Sequence, residues 1–268
     1  MKQDKFKKIL WAALPIAVII FCFIGFLFAP NAPYKTDVTS KFLDGSIQYP
    51  FGTDELGRCV FSRILYGGRV TLGIVLLGLT ITAILGIFLG VLIGQGKSGK
   101  NVLFDSLLNA VTAIPPIAYL IIFIGIWGNS IPTMLVALTA SLILRMIKLV
   151  KTQTEIEFEK AYILCAVASG ASKFRLLFIH ILPNIMREIV RFICLSCSDM
   201  ILTISGFSFI GLNLGDDVID WGMMLSNARS FSIARPALLV YPIVFIFLCT
   251  LSFNLLGYRL ERRDTQDA

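Results

Sequence analysis

The chain is poor in residues that carry catalysis and metal binding. Its 268 residues include one histidine, His180, and charged residues make up only 15% of the sequence. One histidine leaves little room for a histidine-rich metal site or for histidine-based catalysis. The six cysteines mostly fall inside apolar runs and form no spaced framework, which argues against a disulfide scaffold. We therefore expect no catalytic residues, no metal site and no cofactor in this chain.

Apolar residues, by contrast, are abundant. They make up 56% of the chain, and the mean hydropathy is +0.81. Such a composition is typical of polytopic membrane proteins, whose helical spans need ~20 residues each. We predict an all-α integral membrane protein with six transmembrane helices. The predicted spans are residues 9–29, 70–94, 102–127, a segment that starts at residue 131, 189–212 and 236–257.

The distribution of positive charge predicts the orientation of these spans. Of the 24 Lys and Arg residues, 17 fall in segments that the six-span map places inside and seven in segments outside. Positive residues are enriched on the cytoplasmic side of membrane proteins. We expect a multi-pass membrane protein with both termini in the cytoplasm.

The predicted external segment, residues 31–68, contains a candidate amphipathic helix. Thr53 is a suitable N-cap, and Asp54 and Glu55 favour a first helical turn. Gly67 and Gly68 would close this helix, which we expect at the outer membrane interface.

Two features of the next spans leave alternatives open. The second span carries a stripe of small residues at steps of four: Gly78, Thr82, Gly86, Gly90 and Gly94. This stripe serves either close helix packing or a glycine-lined conduit. In the third span, Pro115 and Pro116 predict a bend that either lines a pore or is a packing kink.

The fourth span is too short to cross a bilayer by its apolar part alone. Residues 131–144 cover about 21 Å at ~1.5 Å per residue, whereas the hydrocarbon core is ~30 Å thick. A polar stripe follows at helical spacing. We therefore predict one long helix that runs from this span directly into the segment 155–184.

That segment reads as two short helices joined at Gly170. The first is predicted over residues 155–169, and Gly170 suits a left-handed position after its end. The second, over residues 172–182, is basic on one side and apolar on the other, and Pro183 is predicted to end it. The pattern is compatible with docking into a partner's groove or with an amphipathic hairpin on the membrane surface.

Its sequence, ILCAVASGASKFRLLFIHILPN, resembles the "EAA" loop of ABC importer permeases, in the version of the dipeptide/oligopeptide/nickel family. The matching residues are Ala166, Gly170, Ala171, Ser172, Leu182 and Pro183. The strings FGTDELGR, SGFSFIGLN and WGMML resemble the same family. The acidic position that names the loop is Leu164 here, followed by Cys165, so an acidic contact is not carried over. Cys59 stands where the family usually has Asp.

The resemblance implies a non-catalytic permease subunit of the bacterial inner (plasma) membrane that forms half of a translocation pathway for peptides, nickel or metal chelates. It implies a homologous second permease subunit, two ABC ATPase subunits that bind ATP and Mg²⁺, an extracytoplasmic substrate-binding protein and the lipid bilayer as partners, with no nucleic acid. Residues 1–68 would form an anchor helix and external segment, and residues 69–268 the permease domain with its coupling loop at 151–184. A stand-alone channel, a secondary transporter and an intramembrane enzyme are the alternatives.

Three sets of candidate residues follow from the resemblance and the pattern. The ATPase-coupling set is Ala161, Cys165, Ala166, Gly170, Ala171, Ser172, Phe174 and Arg175. The translocation-path set is Asp199, Ser196, Pro115 and Pro116. The set for contact with the external binding protein is Asp54, Arg58, Asp216, Asp217 and Trp221.

Asp199 is the unusual member of the path set. An ionised residue inside a span is unfavourable and usually faces a cavity or a partner. It either hydrogen-bonds to a hydroxyl on a neighbouring helix or lines the path and favours cationic cargo.

Overall fold

The structure is a computed structural model that describes residues 13, 15–95, 102–215 and 217–262. Over those residues the only β-pairing is an isolated bridge between Thr53 and Cys59. The rest of the regular structure is helical. The main helices are α1 (Pro15–Phe28), α2 (Val60–Gly94), α3 (Val102–Thr112), α4 (Pro116–Trp127), α5 (Ile131–Phe158), α6 (Ala161–Ala168), α7 (Lys173–Phe209), α8 (Trp221–Ala228) and α9 (Ala237–Arg262).

The predicted class, an all-α membrane protein, agrees with the lengths of these helices. In the described part of the chain, α2, α5, α7 and α9 are long and apolar enough to cross a bilayer, and α3 with α4 makes a fifth if the bent pair is one span. The described helix α1 is shorter. The predicted first span begins at residue 9, outside the described residues. The described residues therefore contain four or five candidate spans, where six were predicted for the whole chain.

The long helices contribute to two compact units. Unit 1 contains the chain up to Leu76, Gly128–Met134 and Cys197–Leu256. Unit 2 contains Leu77–Trp127, Leu135–Ser196 and the chain from Gly257. Each unit has its own buried apolar cluster. The cluster of unit 1 includes Val60, Ile64, Ile219, Met224 and Leu238; that of unit 2 includes Met146, Val150, Ile163, Leu176, Ile181, Ile185 and Ile189.

The predicted amphipathic helix over residues 53–68 is wrong. The chain forms hydrogen-bonded turns up to Cys59, and α2 begins at Val60 and continues without interruption. Gly67 and Gly68, predicted to end a helix, lie inside α2. The predicted domain boundary at residues 68–69 therefore also falls within this helix.

Packing within unit 1 explains these two glycines. A Cβ added at Gly68 would lie 2.9 Å from Cζ2 of Trp221, and one at Gly67 would lie 3.2 Å from the same indole. The Trp221 Nε1–H donates to the Ile64 carbonyl at 2.9 Å. At Gly68 the closest atom to an added Cβ is the Cys22 carbonyl oxygen, at 2.4 Å, so the missing side chains make room both for this backbone and for the indole ring.

The proline pair breaks the third predicted span instead of merely bending it. The helices on its two sides meet at an angle of 77°. Pro116 is the first residue of α4, a position where a missing N–H and a fixed φ are favourable. The Tyr119 hydroxyl donates to the Val111 carbonyl at 3.1 Å across the break.

Helix α5 confirms the prediction of one long helix beyond the fourth apolar segment. It runs unbroken for 28 residues, from Ile131 to Phe158. Within unit 2, three members of the small-residue stripe on α2 face α5, one turn apart. A Cβ at Gly86 would lie 2.6 Å from Met146 Cβ, one at Gly90 2.6 Å from Val150 Cβ, and one at Gly94 2.8 Å from Thr154 Cβ. The stripe thus serves close packing at these three glycines.

The prediction that Pro183 ends a helix is wrong. α7 continues through it for 37 residues, to Phe209. The turn before the proline, Leu176–Ile181, is a π-helix. This wider turn gives the proline ring space that an α-helical carbonyl four residues earlier would otherwise occupy. The predicted fifth span at 189–212 is consequently the second part of one longer helix.

Candidate functional site

Helix α6 is the central element of the predicted coupling loop, and none of its eight residues is charged. Ile163 is fully buried in the unit 2 cluster, and Ala166 packs against that cluster. The opposite face, at helical spacing, is exposed: Ala161, Leu164, Cys165 and Ala168. The helix is shorter than the predicted 155–169, because residues up to Phe158 belong to α5 and a turn follows.

Gly170 has the left-handed conformation that was predicted for it, with φ of +82°. Its N–H donates to the Val167 carbonyl, and the Ala171 N–H donates to the Ala166 carbonyl, both at 3.0 Å. These two bonds form a Schellman motif, and its usual apolar contact is supplied by Ala166 and Ala171, which both pack against the unit 2 cluster. The loop geometry is therefore encoded locally by the glycine and the two alanines.

The next helix starts immediately after this turn. Ser172 is its N-cap and accepts a hydrogen bond from the Arg175 N–H at 3.3 Å. Lys173, Phe174 and Arg175 are exposed, and Phe174 retains 70% of its possible exposure. The Phe174 ring lies 4.4 Å from the ring of Phe178, which is also exposed. Six of the eight predicted coupling residues are thus on the surface of the chain, and Ala166 and Ala171 support them from within.

A hydrogen-bond network joins the two ends of the loop. The Tyr162 hydroxyl donates to Glu157 Oε2 at 2.5 Å, and the Asn184 Nδ2–H donates to the Tyr162 oxygen at 2.6 Å. The Lys160 ammonium donates to Glu157 Oε1 at 2.5 Å. Burial, together with the Glu157 carboxylate, raises the pKa of Tyr162. This network fixes α6 to the end of α5 and to α7.

Sequence reasoning missed this network. In the sequence, Glu157 and Tyr162 look like ordinary members of a polar segment, and Asn184 is only the last residue of the family-like string. Its members are separated by up to 27 positions, so periodicity within one helix could not reveal it.

A second polar cluster in unit 2 holds the start of α3 against α5. The Lys151 ammonium lies 2.7 Å from Asp105 Oδ1 and 2.9 Å from Glu155 Oε1, and the Lys151 side chain is only 10% exposed. Asp105 therefore has a structural partner on α5. Removing either carboxylate would leave the largely buried Lys151 ammonium with one partner fewer, which is unfavourable.

The predicted path residues are not brought together into one site. Asp199 is exposed on α7, whereas Ser196 is buried, and Pro115 and Pro116 lie at the break before α4. Leu202 and Gly206 lie about 60° and 20° from Asp199 around the helix axis. In unit 1 they line a groove of about 470 Å³ with Phe209 and residues of α8 and α9.

Two of the five predicted external-contact residues, Asp54 and Trp221, lie in the interior of unit 1, and Arg58 is half-buried. Asp54 is buried, with its Oδ2 2.8 Å from Arg58 Nε and 3.5 Å from Arg63 Nε, and Trp221 is fully buried. These side chains hold the external segment together and do not present themselves to a partner, which corrects the expectation for Asp54 and Trp221. Asp217 is exposed. Asp216 lies outside the described residues.

Asp220 is a buried carboxylate that the sequence did not single out. Its Oδ1 accepts from the N–H groups of Gly222 and Met223 at 2.7 and 3.1 Å, which makes it the N-cap of α8. Burial raises the pKa of Asp220 to about 6. Its position is structural, between α7 and α8.

The long apolar helices and the exposed helix–Gly–helix loop are compatible with a membrane permease. The chain matches the model of the family described as "Binding-protein-dependent transport system inner membrane component" over residues 82–265, and it belongs to that family. It is therefore a permease component of a binding-protein-dependent ABC importer, and a multi-pass membrane protein.

Its relatives include named peptide permeases. The chain is 32% identical to the dipeptide transport system permease protein DppC of Alkalihalophilus pseudofirmus, over 99% of this chain and 88% of the relative. It is 30% identical to the di/tripeptide transport system permease protein DppC of Pseudomonas aeruginosa, over 97% of this chain and 88% of the relative. It is 33% identical to the glutathione transport system permease protein GsiD of Pectobacterium atrosepticum, over 81% of this chain and 71% of the relative.

Solved structures agree on the fold. A chain of the MetNI methionine ABC transporter in an inward-facing conformation superposes with a TM-score of 0.59 at 15% identity. The match covers 74% of this chain and 94% of that one. At this identity the likeness concerns the fold alone.

Proposed function

We propose that this chain forms one half of the translocation pathway of an ATP-driven peptide importer. Its counterpart is a homologous second permease subunit. Two ATPase subunits bind ATP and Mg²⁺ on the cytoplasmic side, and an extracytoplasmic binding protein delivers the cargo. Peptide is favoured over nickel or a metal chelate because the relatives reported above are named for dipeptides, di/tripeptides and glutathione.

Docking of the loop 151–184 onto an ATPase subunit is the central element of this proposal. The observation that carries it is the uncharged, exposed face of α6 together with exposed Phe174. Exposed apolar side chains grouped on a loop are typical of a protein–protein interface. A stand-alone channel or secondary transporter needs no such surface, and membership of a binding-protein-dependent family also favours the importer.

Transmission follows from the packing of unit 2. When ATP binding moves the docked α6, the Glu157–Tyr162–Asn184 network carries the displacement to α5 and α7. α5 is unbroken over 28 residues and packs closely on α2 through Gly86, Gly90 and Gly94. A rigid helix pair of this kind moves as one body, as alternating access requires.

Asp199 contributes to the proposed path. It is an exposed carboxylate in a helix that is long and apolar enough to span the bilayer, and such groups face a cavity or a protein partner and not lipid. Because Leu202 and Gly206 lie on the same face of α7, the groove that they line opens on the side of Asp199. A peptide with a free amino group fits a path with one acidic residue.

Orientation is also part of the proposal, with both termini and the segment around Lys97 in the cytoplasm. The test is cysteine labelling in intact cells. A membrane-impermeant maleimide should not reach Lys97→Cys and should reach Asp217→Cys, whose parent residue is exposed. Labelling of Lys97→Cys from outside would overturn the orientation.

Two substitutions of Gly170 test coupling. Gly170→Val and Gly170→Asn both add a side chain at a point where an added Cβ meets no atom within 4 Å. They differ in backbone preference, because asparagine tolerates positive φ and a β-branched residue does not. We expect Gly170→Val to insert and assemble but to lose transport and cargo-stimulated ATPase activity, whereas Gly170→Asn retains most of both.

The readout is ATPase activity of the reconstituted importer with and without the binding protein and dipeptide. Full stimulation in Gly170→Val would show that the loop is not the coupling element. Equal loss in both variants would show that the conformation of residue 170 is not what matters.

A further inference from the structure

The exposed face of α6 differs in charge from the loop that it resembles. The acidic residue that names the family loop is replaced by Leu164, which is 59% exposed. The exposed neighbours of Leu164 on this helix are Ala161, Cys165, Val167 and Ala168, all uncharged, and Val167 is 50% exposed. Leu164 is therefore the largest side chain of an apolar face.

The charges close to this face are mainly positive. Lys173 and Arg175 are exposed just after the Gly170 turn. On the other side of α6, the carboxylate of Glu157 is buried and already bonded to Lys160 and Tyr162. Glu159 is exposed at the turn between α5 and α6. Within α6 itself, no side chain could form an ion pair with a basic groove.

We propose that this surface fits an ATPase groove that is apolar where it receives Leu164 and acidic where it faces Lys173 and Arg175. The inference rests on the proposed coupling function and specifies its partner. A groove that offers a buried basic residue to a carboxylate would leave that cation unpaired against Leu164, which is unfavourable. Complementary charge at the rim fixes the orientation of docking.

The test uses the ABC ATPase subunit that co-purifies with the tagged wild-type chain. Three single variants are compared by titrating this subunit onto reconstituted permease: Leu164→Met, Leu164→Glu and Arg175→Glu. Methionine preserves apolar character and approximate volume, so it is the matched control. Because Leu164 and Arg175 are exposed, their replacement leaves the unit 2 core intact, which retention of the wild-type elution profile and helix content would verify.

We expect Leu164→Met to bind within about threefold of wild type. Leu164→Glu should bind at least about tenfold more weakly at both 50 mM and 500 mM salt, because it buries a carboxylate without a partner. Arg175→Glu should also weaken binding, with a larger loss at low salt, because a rim charge is screened.

Binding of Leu164→Glu that equals or exceeds wild type would overturn the proposal, because it would indicate a basic groove. If Arg175→Glu binds the ATPase subunit more tightly than wild type does, the inference of an acidic groove rim is wrong. If no ATPase subunit associates with the wild-type chain, the coupling function itself fails. That outcome is distinct from one in which the wild-type complex forms but the variants bind the ATPase subunit contrary to expectation.

Discussion

Replacing Gly90 by alanine tests the close approach of α2 and α5. In the interior of a helix, alanine is more favourable than glycine by about 1 kcal/mol. At Gly90, however, the new Cβ would lie 2.6 Å from Val150 Cβ and 3.0 Å from the Ile147 carbonyl oxygen. Neither atom can move without moving α5, so we expect a net destabilisation of about 1–3 kcal/mol.

Gly73→Ala is the matched control on the same helix. An added Cβ at Gly73 meets no atom within 4 Å, so this variant should gain about 1 kcal/mol from helix propensity alone. The two variants should therefore differ by about 2–4 kcal/mol, which corresponds to a difference in melting temperature on the order of 5–15 °C.

The assay is thermal unfolding of the purified importer in detergent, followed by fluorescence-detected size exclusion. Equal melting temperatures for Gly90→Ala and Gly73→Ala would refute the reasoning, since they would show that α5 does not lie against Gly90.

Three further predictions concern single polar side chains. The pKa of Asp220 is raised to about 6 by burial, so its ionisation destabilises the fold: stability falls as pH rises from about 4 to about 6 and stays lower above that. Asp220→Asn, which keeps an N-cap, should increase the free energy of unfolding at pH 8 by up to about 3 kcal/mol, seen as a higher melting temperature, and have little effect at pH 4. Tyr162→Phe removes a donor from buried Glu157 and should lower stability by about 1–3 kcal/mol while reducing cargo-stimulated ATPase activity; normal stimulation would remove Tyr162 from the transmission route. Asp199→Asn should reduce uptake of a cationic dipeptide more than that of an acidic one, with basal ATPase activity retained; unchanged uptake would leave a structural role only.

Local sequence features correctly predicted the loop geometry. Gly170, the Ala166 and Ala171 pair, and Ser172 specify a helix end, a left-handed residue and a new helix within a few positions. These are interactions between neighbours in sequence, so a pattern can reveal them. The continuation of α5 past its apolar part was predictable for a related reason, because the polar stripe keeps helical spacing.

The failures concern residues whose neighbours are distant in sequence. Gly67 and Gly68 looked like a helix end, but Trp221, more than 150 positions away, makes them part of α2. Pro183 looked like a helix end, but the preceding π turn accommodates it. Asp54 looked like a surface contact, yet Arg58 and Arg63 bury it in unit 1.

By itself, then, the sequence determined the membrane class, the loop with its left-handed glycine, and the family to which the strings belong, because composition and short-range patterns suffice for each. Only the tertiary structure decided which face of α6 is exposed, that Glu157, Tyr162 and Asn184 form one network, and that Trp221 is buried. Burial and hydrogen bonding depend on which distant segments come together, and a protein buries a polar side chain only where such a segment supplies its partner.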